Sequence, residues 1–188
     1  MLTSVCRRRL STSAAAGRNW ARNVLYSCAR FHEPETVGEL CELVSNAASV
    51  RALGSRHSFS LCADTEGDLI SVAKLPTRVT IDEFSATVRC SAGTTYAALA
   101  NELETHGWAL HAMASLPHIS VAGAISTATH GSGDTVGNLT TAVRAARYVA
   151  ADGELRFVVA GEPLLQAVLL GSLGVLTEVT LRVERSYR

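Results

Sequence analysis

The sequence predicts an α+β fold in two unequal lobes that divide near Pro76. Three observations carry that expectation. A strand, helix, strand pattern fills the segment before Pro76. Several short strand patterns around an amphipathic helix fill the segment after it, and glycine-rich loops leave strand ends in both. At 188 residues the chain can bury a core in one or two small domains.

Asn23 to Phe31 carries Val24, Leu25, Tyr26 and Phe31 and stops before Pro34, which reads as a short strand and a turn. Thr36-Val37-Gly38-Glu39 then has capping-box spacing. Val37, Leu40, Cys41 and Val44 share one face of a helix expected to end near Ala48. Ser49 to Leu53 reads as a strand, and a glycine loop leaves directly from its carboxyl end, where α/β sheets commonly place ligands. Beyond Asp68, strands are expected at Leu69 to Leu75, Val79 to Ile81 and Ala86 to Ser91. Thr94 or Thr95 can cap a helix with Tyr96, Leu99, Ala100 and Leu103 on its apolar face, and Gly107 can end it. Trp108 to Leu110 is extended, and Ser115 to Gly133 reads as one long small-residue loop. Asp152-Gly153 between Ala142–Ala151 and Glu154–Val159 signals a hairpin. A helix from Gly161 to Leu170 and a strand from Gly174 to Glu184 complete the pattern.

Composition excludes several classes of protein. Lys plus Arg and Asp plus Glu balance at 17 each, so no global field draws nucleic acid or an acidic membrane. Apolar runs such as Leu164 to Leu170 fall well short of the ~20 residues of a membrane span. Cys6, Cys28, Cys41, Cys62 and Cys90 are widely spaced without Cys-x-x-Cys, and read as small buried hydrophobes in a reducing compartment. No metal site is expected: His106, His111, His118 and His130 lack His-Glu-x-x-His spacing and read as structural or solvated. Residues 1–17 are Arg-, Ser- and Ala-rich, and no acidic residue precedes Glu33. That composition suits a transit peptide for mitochondria or another organelle, or else a disordered basic tail on a cytoplasmic protein.

Two loops carry the chemistry. Gly54-Ser55-Arg56-His57-Ser58 can turn several backbone N–H groups and two hydroxyls toward an anion such as a pyrophosphate, although the same residues suit an ordinary turn. Ser120 to Gly133 concentrates Gly123, Gly131 and Gly133 with Ser126, Thr127, Thr129 and Ser132. Such density fits either an extended ligand under the backbone or closely packed elements. Gly131-Ser132-Gly133 does not open a dinucleotide fingerprint, because Gly137 comes one residue too late.

In order along the chain, Asn19-Trp20-Ala21-Arg22-Asn23, Arg51 to Phe59, Leu116 to Gly133 and Gly171-Ser172-Leu173-Gly174-Val175-Leu176-Thr177-Glu178-Val179-Thr180 resemble a known family. It is the FAD-binding (PCMH-type) domain of the vanillyl-alcohol oxidase family, in its alditol oxidase and aldonolactone (gulonolactone) oxidase branch. The resemblance runs from about Asn19 to Glu184. It implies a small strand-helix-strand lobe over about 19–76 and a larger mixed-sheet lobe over about 77–188.

The resemblance also implies a site. Ala52, Leu53, Gly54, Ser55, Arg56, His57 and Ser58 would wrap the FAD pyrophosphate, with His57 joined covalently to the flavin 8α-methyl. Ser115, Ser120, Gly123, Thr127, Ala128, Thr129 and His130 would line the rest of the flavin nucleotide, and Val175 or Val179 would hold adenine through main-chain contacts. It implies oxidation of a sugar alcohol or aldonolactone CH–OH group by hydride transfer to flavin, with oxygen or a respiratory acceptor taking the electrons. No catalytic base is evident. Family enzymes continue into a substrate-binding cap domain that these 188 residues do not include, so an FAD-binding module without turnover of its own is the alternative expectation.

Overall fold

The computed structural model describes residues 16–169 and 171–187, so most of the expected targeting segment lies outside the described residues. Two sheets organise the fold. A parallel sheet in the order β1-β3-β2 comprises β1 (Arg30–His32), β2 (Val50–Leu53) and β3 (Asp68–Ser71). A five-stranded sheet in the order β4-β5-β9-β7-β8 comprises β4 (Val79–Asp82), β5 (Thr87–Ser91), β7 (Val143–Ala150), β8 (Leu155–Val159) and β9 (Gly174–Arg182). Every pairing in this second sheet is antiparallel.

Helix α1 (Val37–Ser45) connects β1 to β2. The Thr36 hydroxyl accepts from the Glu39 N–H at 3.1 Å, while the Glu39 carboxylate accepts from the Glu35 N–H at 2.9 Å. The reciprocal cap thus reaches one residue further out than the capping-box reading implies. Leu40 and Val44 are buried among Ile70 of the parallel sheet and Val149 and Val175 of the antiparallel one, so α1 ties the two sheets together. The opposite face of the parallel sheet is covered by Val24, Tyr26 and Cys28, which form a loop with one isolated bridge, Arg18 to Leu25, rather than the expected strand.

The larger core lies between the antiparallel sheet and α2 (Tyr96–Thr105), α3 (Val121–Ser126) and α4 (Leu164–Leu169). Tyr96, Leu99 and Leu103 of α2 are buried, and the Thr95 hydroxyl caps it by accepting from the Ala98 N–H. Gly107 follows with φ +73°, the left-handed stop expected after a helix. Short strands β6 (Trp108–Ala109) and β10 (Glu184–Arg185) pair antiparallel, with the Arg185 guanidinium 4.1 Å from the Trp108 ring centre. Among the described residues no helix is long and apolar enough to cross a membrane.

Three expectations shift. The strand expected to run to Leu75 ends at Ser71, because residues 73–75 turn back and the Leu75 N–H donates to the Val72 carbonyl. The long loop contains a helix, α3. Not every cysteine is a buried hydrophobe: Cys28 and Cys90 are buried, Cys41 is half-buried and Cys62 is exposed. Burial pushes the Cys90 thiol up to about 12.

Asp68, at the start of the central parallel strand, has a side chain only 6% exposed and accepts two bonds from Arg30, at 2.5 and 2.6 Å. Removing a buried carboxylate strands its partner, which typically costs about 3–5 kcal/mol. Here Arg30 is half exposed and can rehydrate. Asp68→Ala is therefore expected to lower stability by about 2–3 kcal/mol, read as a lower urea midpoint at unchanged slope.

Candidate cofactor site

The first glycine loop leaves β2 at Leu53, and α3 of the second loop packs against it. The Ser120 N–H donates to the Ser55 hydroxyl at 3.1 Å, and the Ser120 backbone also bridges to Thr95. A Cβ at Gly123 would lie 2.6 Å from the Ser120 hydroxyl, and one at Gly54 would lie 3.1 Å from the same atom and 3.5 Å from the Gly123 Cα. A side chain at either position would therefore crowd the Ser120 hydroxyl, whichever ligand lies beside the loops. Val121 and Ile125, one turn apart, are fully buried and fix α3 in the core. The Ser120 side chain makes no cap bond; of the first-turn N–H groups, that of Val121 donates to the Thr94 carbonyl, and those of Ala122 and Gly123 face no hydroxyl cap.

Asn19 to Asn23 clamps the first loop from outside. The Asn19 and Asn23 side-chain amides each donate at 2.9 Å, to the Ser58 and Phe59 carbonyls, and the Trp20 N–H donates to the Arg56 carbonyl. Arg56 itself turns away from the anion role that its charge suggests. Its guanidinium donates to the Ala16 carbonyl and lies over the Tyr26 and Phe31 rings, at 5.9 and 5.6 Å. The backbone there is left-handed, φ +65°, a conformation that favours glycine. Arg56→Gly is expected to be more stable than Arg56→Ala by about 1 kcal/mol in chemical denaturation. Both variants lose the guanidinium, and only alanine keeps the backbone penalty.

Between the loops runs a cavity of about 500 Å³. Residues 52–58 line it together with Ser115, Ser120, Gly123, Thr127 and Thr129. Ala52, Gly171 and Gly174 also line a second cavity of about 250 Å³, which extends past Ala47, Ser172 and Val175. The two cavities therefore adjoin, with these three residues common to both. No carboxylate lines either cavity among the described residues, while glycine backbone, Ser and Thr hydroxyls and Arg51 do. An extended dinucleotide with a doubly anionic pyrophosphate fits that lining on shape and on charge.

Of the remaining residues singled out from the sequence, Ala128 and His130 line neither cavity. Ala128 takes φ +51° in the turn after α3, and the exposed His130 places Nδ1 2.9 Å from the Gly131 carbonyl. Val175 lies on the second cavity, but Val179 is fully buried and its backbone pairs with Cys90 on one side and Ala146 on the other. A central strand residue with both edges paired cannot offer its main chain to adenine. The ladder with β5 ends at Glu178, so between the two valines only Val175 lies beyond that pairing.

His57 lines the first cavity beside aromatic neighbours. Its ring stacks on Trp20 at 5.1 Å, and its Nε2 lies 2.7 Å from Nε2 of His118. Its Nδ1 is buried without a hydrogen-bond partner. Burial, and then the neighbouring His118, hold the imidazole below its usual pKa, which keeps it neutral and nucleophilic to lower pH. Sequence reading missed the contact because His57 and His118 are 61 residues apart and neither falls in a metal or triad spacing. It also missed Cys62, exposed on the wall of the same cavity, whose thiol is pulled below its usual value by bonds with Ser58 and Ser60.

Fold and cavity together define a domain whose cleft between two glycine-rich loops suits a dinucleotide cofactor. The chain belongs to the FAD-binding domain family, which matches residues 28–158. It is 41% identical over 179 residues to alditol oxidase of Streptomyces sp., covering 93% of this chain and 43% of that protein. It is 32% identical over 169 residues to L-gulono-1,4-lactone dehydrogenase of Mycobacterium tuberculosis, covering 87% of this chain and 40% of the relative. It is likewise 32% identical over 173 residues to L-gulonolactone oxidase of Mus musculus, covering 88% and 39%. The chain thus spans about two fifths of the length of these relatives.

Proposed function

We propose that this chain is the FAD-binding part of a flavin-dependent oxidoreductase that oxidises the CH–OH group of a sugar alcohol or aldonolactone, with the flavin joined to His57. The cavity that His57 lines, which shares Ala52, Gly171 and Gly174 with a second cavity at Val175, carries the reading, because its carboxylate-free lining of glycine, serine and threonine suits the anionic pyrophosphate of FAD and includes an imidazole kept neutral to lower pH. The names of the relatives, alditol oxidase and the gulonolactone enzymes, support the substrate class. Bound FAD supplies the two-electron acceptor for hydride leaving the substrate carbon. The chain's own contribution is to hold and orient it: Ser55, Ser58 and the backbone of 52–58 receive the pyrophosphate, Thr127 and Thr129 face the nucleotide, and Val175 meets adenine.

Purified protein supplied with FAD is expected to be yellow, to keep flavin on a peptide containing His57 after acid precipitation, and to bleach with alditols or aldonolactones under anaerobic conditions. A colourless protein overturns the cofactor reading. Flavin wholly released by acid overturns the linkage alone. Bound flavin that no such substrate bleaches favours a binding module without turnover of its own. The acid-free, Arg-rich composition of residues 1–17 supports targeting to mitochondria or another organelle.

A further inference from the structure

His57 and His118 come from different loops, yet their Nε2 atoms are 2.7 Å apart, with ring centroids at 4.7 Å and planes at 55°. At that distance the two nitrogens share one proton, one donating and the other accepting, since two N–H groups or two lone pairs would repel. The arrangement is held from several sides. Trp20 stacks on His57, and the Ser120 N–H, two residues from His118, is bonded to Ser55. The remaining nitrogen of His57, Nδ1, is buried and unpartnered. If His118 donated, Nδ1 would carry a buried N–H without an acceptor. If His57 donates, Nδ1 is a bare lone pair, the less costly state in a buried place.

We propose that His118 is a positioning residue for flavin attachment: by accepting the hydrogen bond that Nε2–H of His57 donates, it fixes the tautomer in which Nδ1 is the linking nitrogen. The inference rests on the covalent linkage proposed above. In the step, Nδ1, which protein covers in this structure, is uncovered toward the flavin, a bond forms between it and the 8α carbon, and one methyl C–H bond breaks. His57 passes its Nε2 proton to His118, which is exposed and releases it to water. The two electrons left on the flavin are taken by dioxygen, which leaves with the methyl hydrogen and the imidazole hydrogen as hydrogen peroxide.

The test uses the full chain, made as apoprotein and incubated with FAD in air. Covalent flavin is followed by fluorescence of the denatured protein, and total bound flavin by absorbance before denaturation. His118→Ala is expected to slow covalent incorporation at least tenfold while FAD still binds, and His118→Gln, whose amide oxygen can accept the Nε2–H hydrogen bond and so hold the tautomer without taking up the proton, to recover part of the rate. Incorporation by His118→Ala at the unmodified chain's rate overturns the proposal, as does a Gln variant no faster than the Ala variant. The linking atom of the unmodified chain, read by NMR of the isolated flavin peptide, decides without any variant: Nδ1 is expected, and Nε2 overturns the proposal. An unmodified chain that binds FAD but never links it overturns the linkage reading itself, and this inference falls with it.

Discussion

Gly174→Ala is expected to lower the thermal unfolding midpoint by ~6–12 °C and to abolish stable retention of FAD. A Cβ at this position would lie 2.1 Å from the Val149 carbonyl oxygen and 2.9 Å from the Tyr148 ring. The first is backbone inside the β7–β9 ladder and cannot rotate away, unlike the end of a flexible side chain. Gly174 pairs with Ala150 at the end of that ladder, so the least costly response is to part the two strands there. Overpacking of this kind costs about 3 kcal/mol, and in a chain of this size each kcal/mol moves the midpoint by about 2–4 °C. The functional loss follows from position, because Gly174 lines both cavities and lies next to Val175. Gly131→Ala is the contrasting case. A Cβ there meets nothing within 4 Å, and its midpoint is expected to stay within about 2 °C of the unmodified chain's.

These glycines show which parts of the site could be read in the sequence. Gly54 and Gly123 were visible as members of small-residue loops, and α1, α2 and the hairpin followed from caps, periodicity and Asp152-Gly153. Those signals are local. What escaped was nonlocal or too short to be periodic. Helix α3 is only six residues long and contains a glycine, so its helical signal reduces to Val121 and Ile125 one turn apart after a Ser of cap type. Tertiary burial of those two side chains, rather than propensity, decides its conformation. The sequence marks Arg56 as a cation beside a phosphate loop. Only the fold shows the guanidinium spent on Ala16, Tyr26 and Phe31. The choice between Val175 and Val179 likewise needed the register of β9 against β5.

His57→Ala is expected to remove covalent flavin completely while leaving FAD that binds when supplied and comes away entirely in acid, since the rest of the cavity is intact. The pH dependence of the unmodified chain is the sharper measurement. An ordinary imidazole loses its neutral form below about pH 6.5, whereas burial and His118 hold the pKa of His57 lower. The rate of covalent incorporation into apoprotein should therefore stay level as the pH is lowered to about 6.5 and turn down only beneath that value. A downturn already above it would contradict a depressed His57. The same shift bears on stability with a definite sign. In the window below the ordinary imidazole value the unfolded chain binds a proton at this position that the folded chain does not, so stability falls as the pH falls through it. Alanine cannot take up that proton. Denaturant titrations of apoprotein at pH 7 and pH 5 should accordingly show the His57→Ala variant losing less stability on acidification than the unmodified chain, and an equal or larger loss would mean that His57 is no harder to protonate when folded.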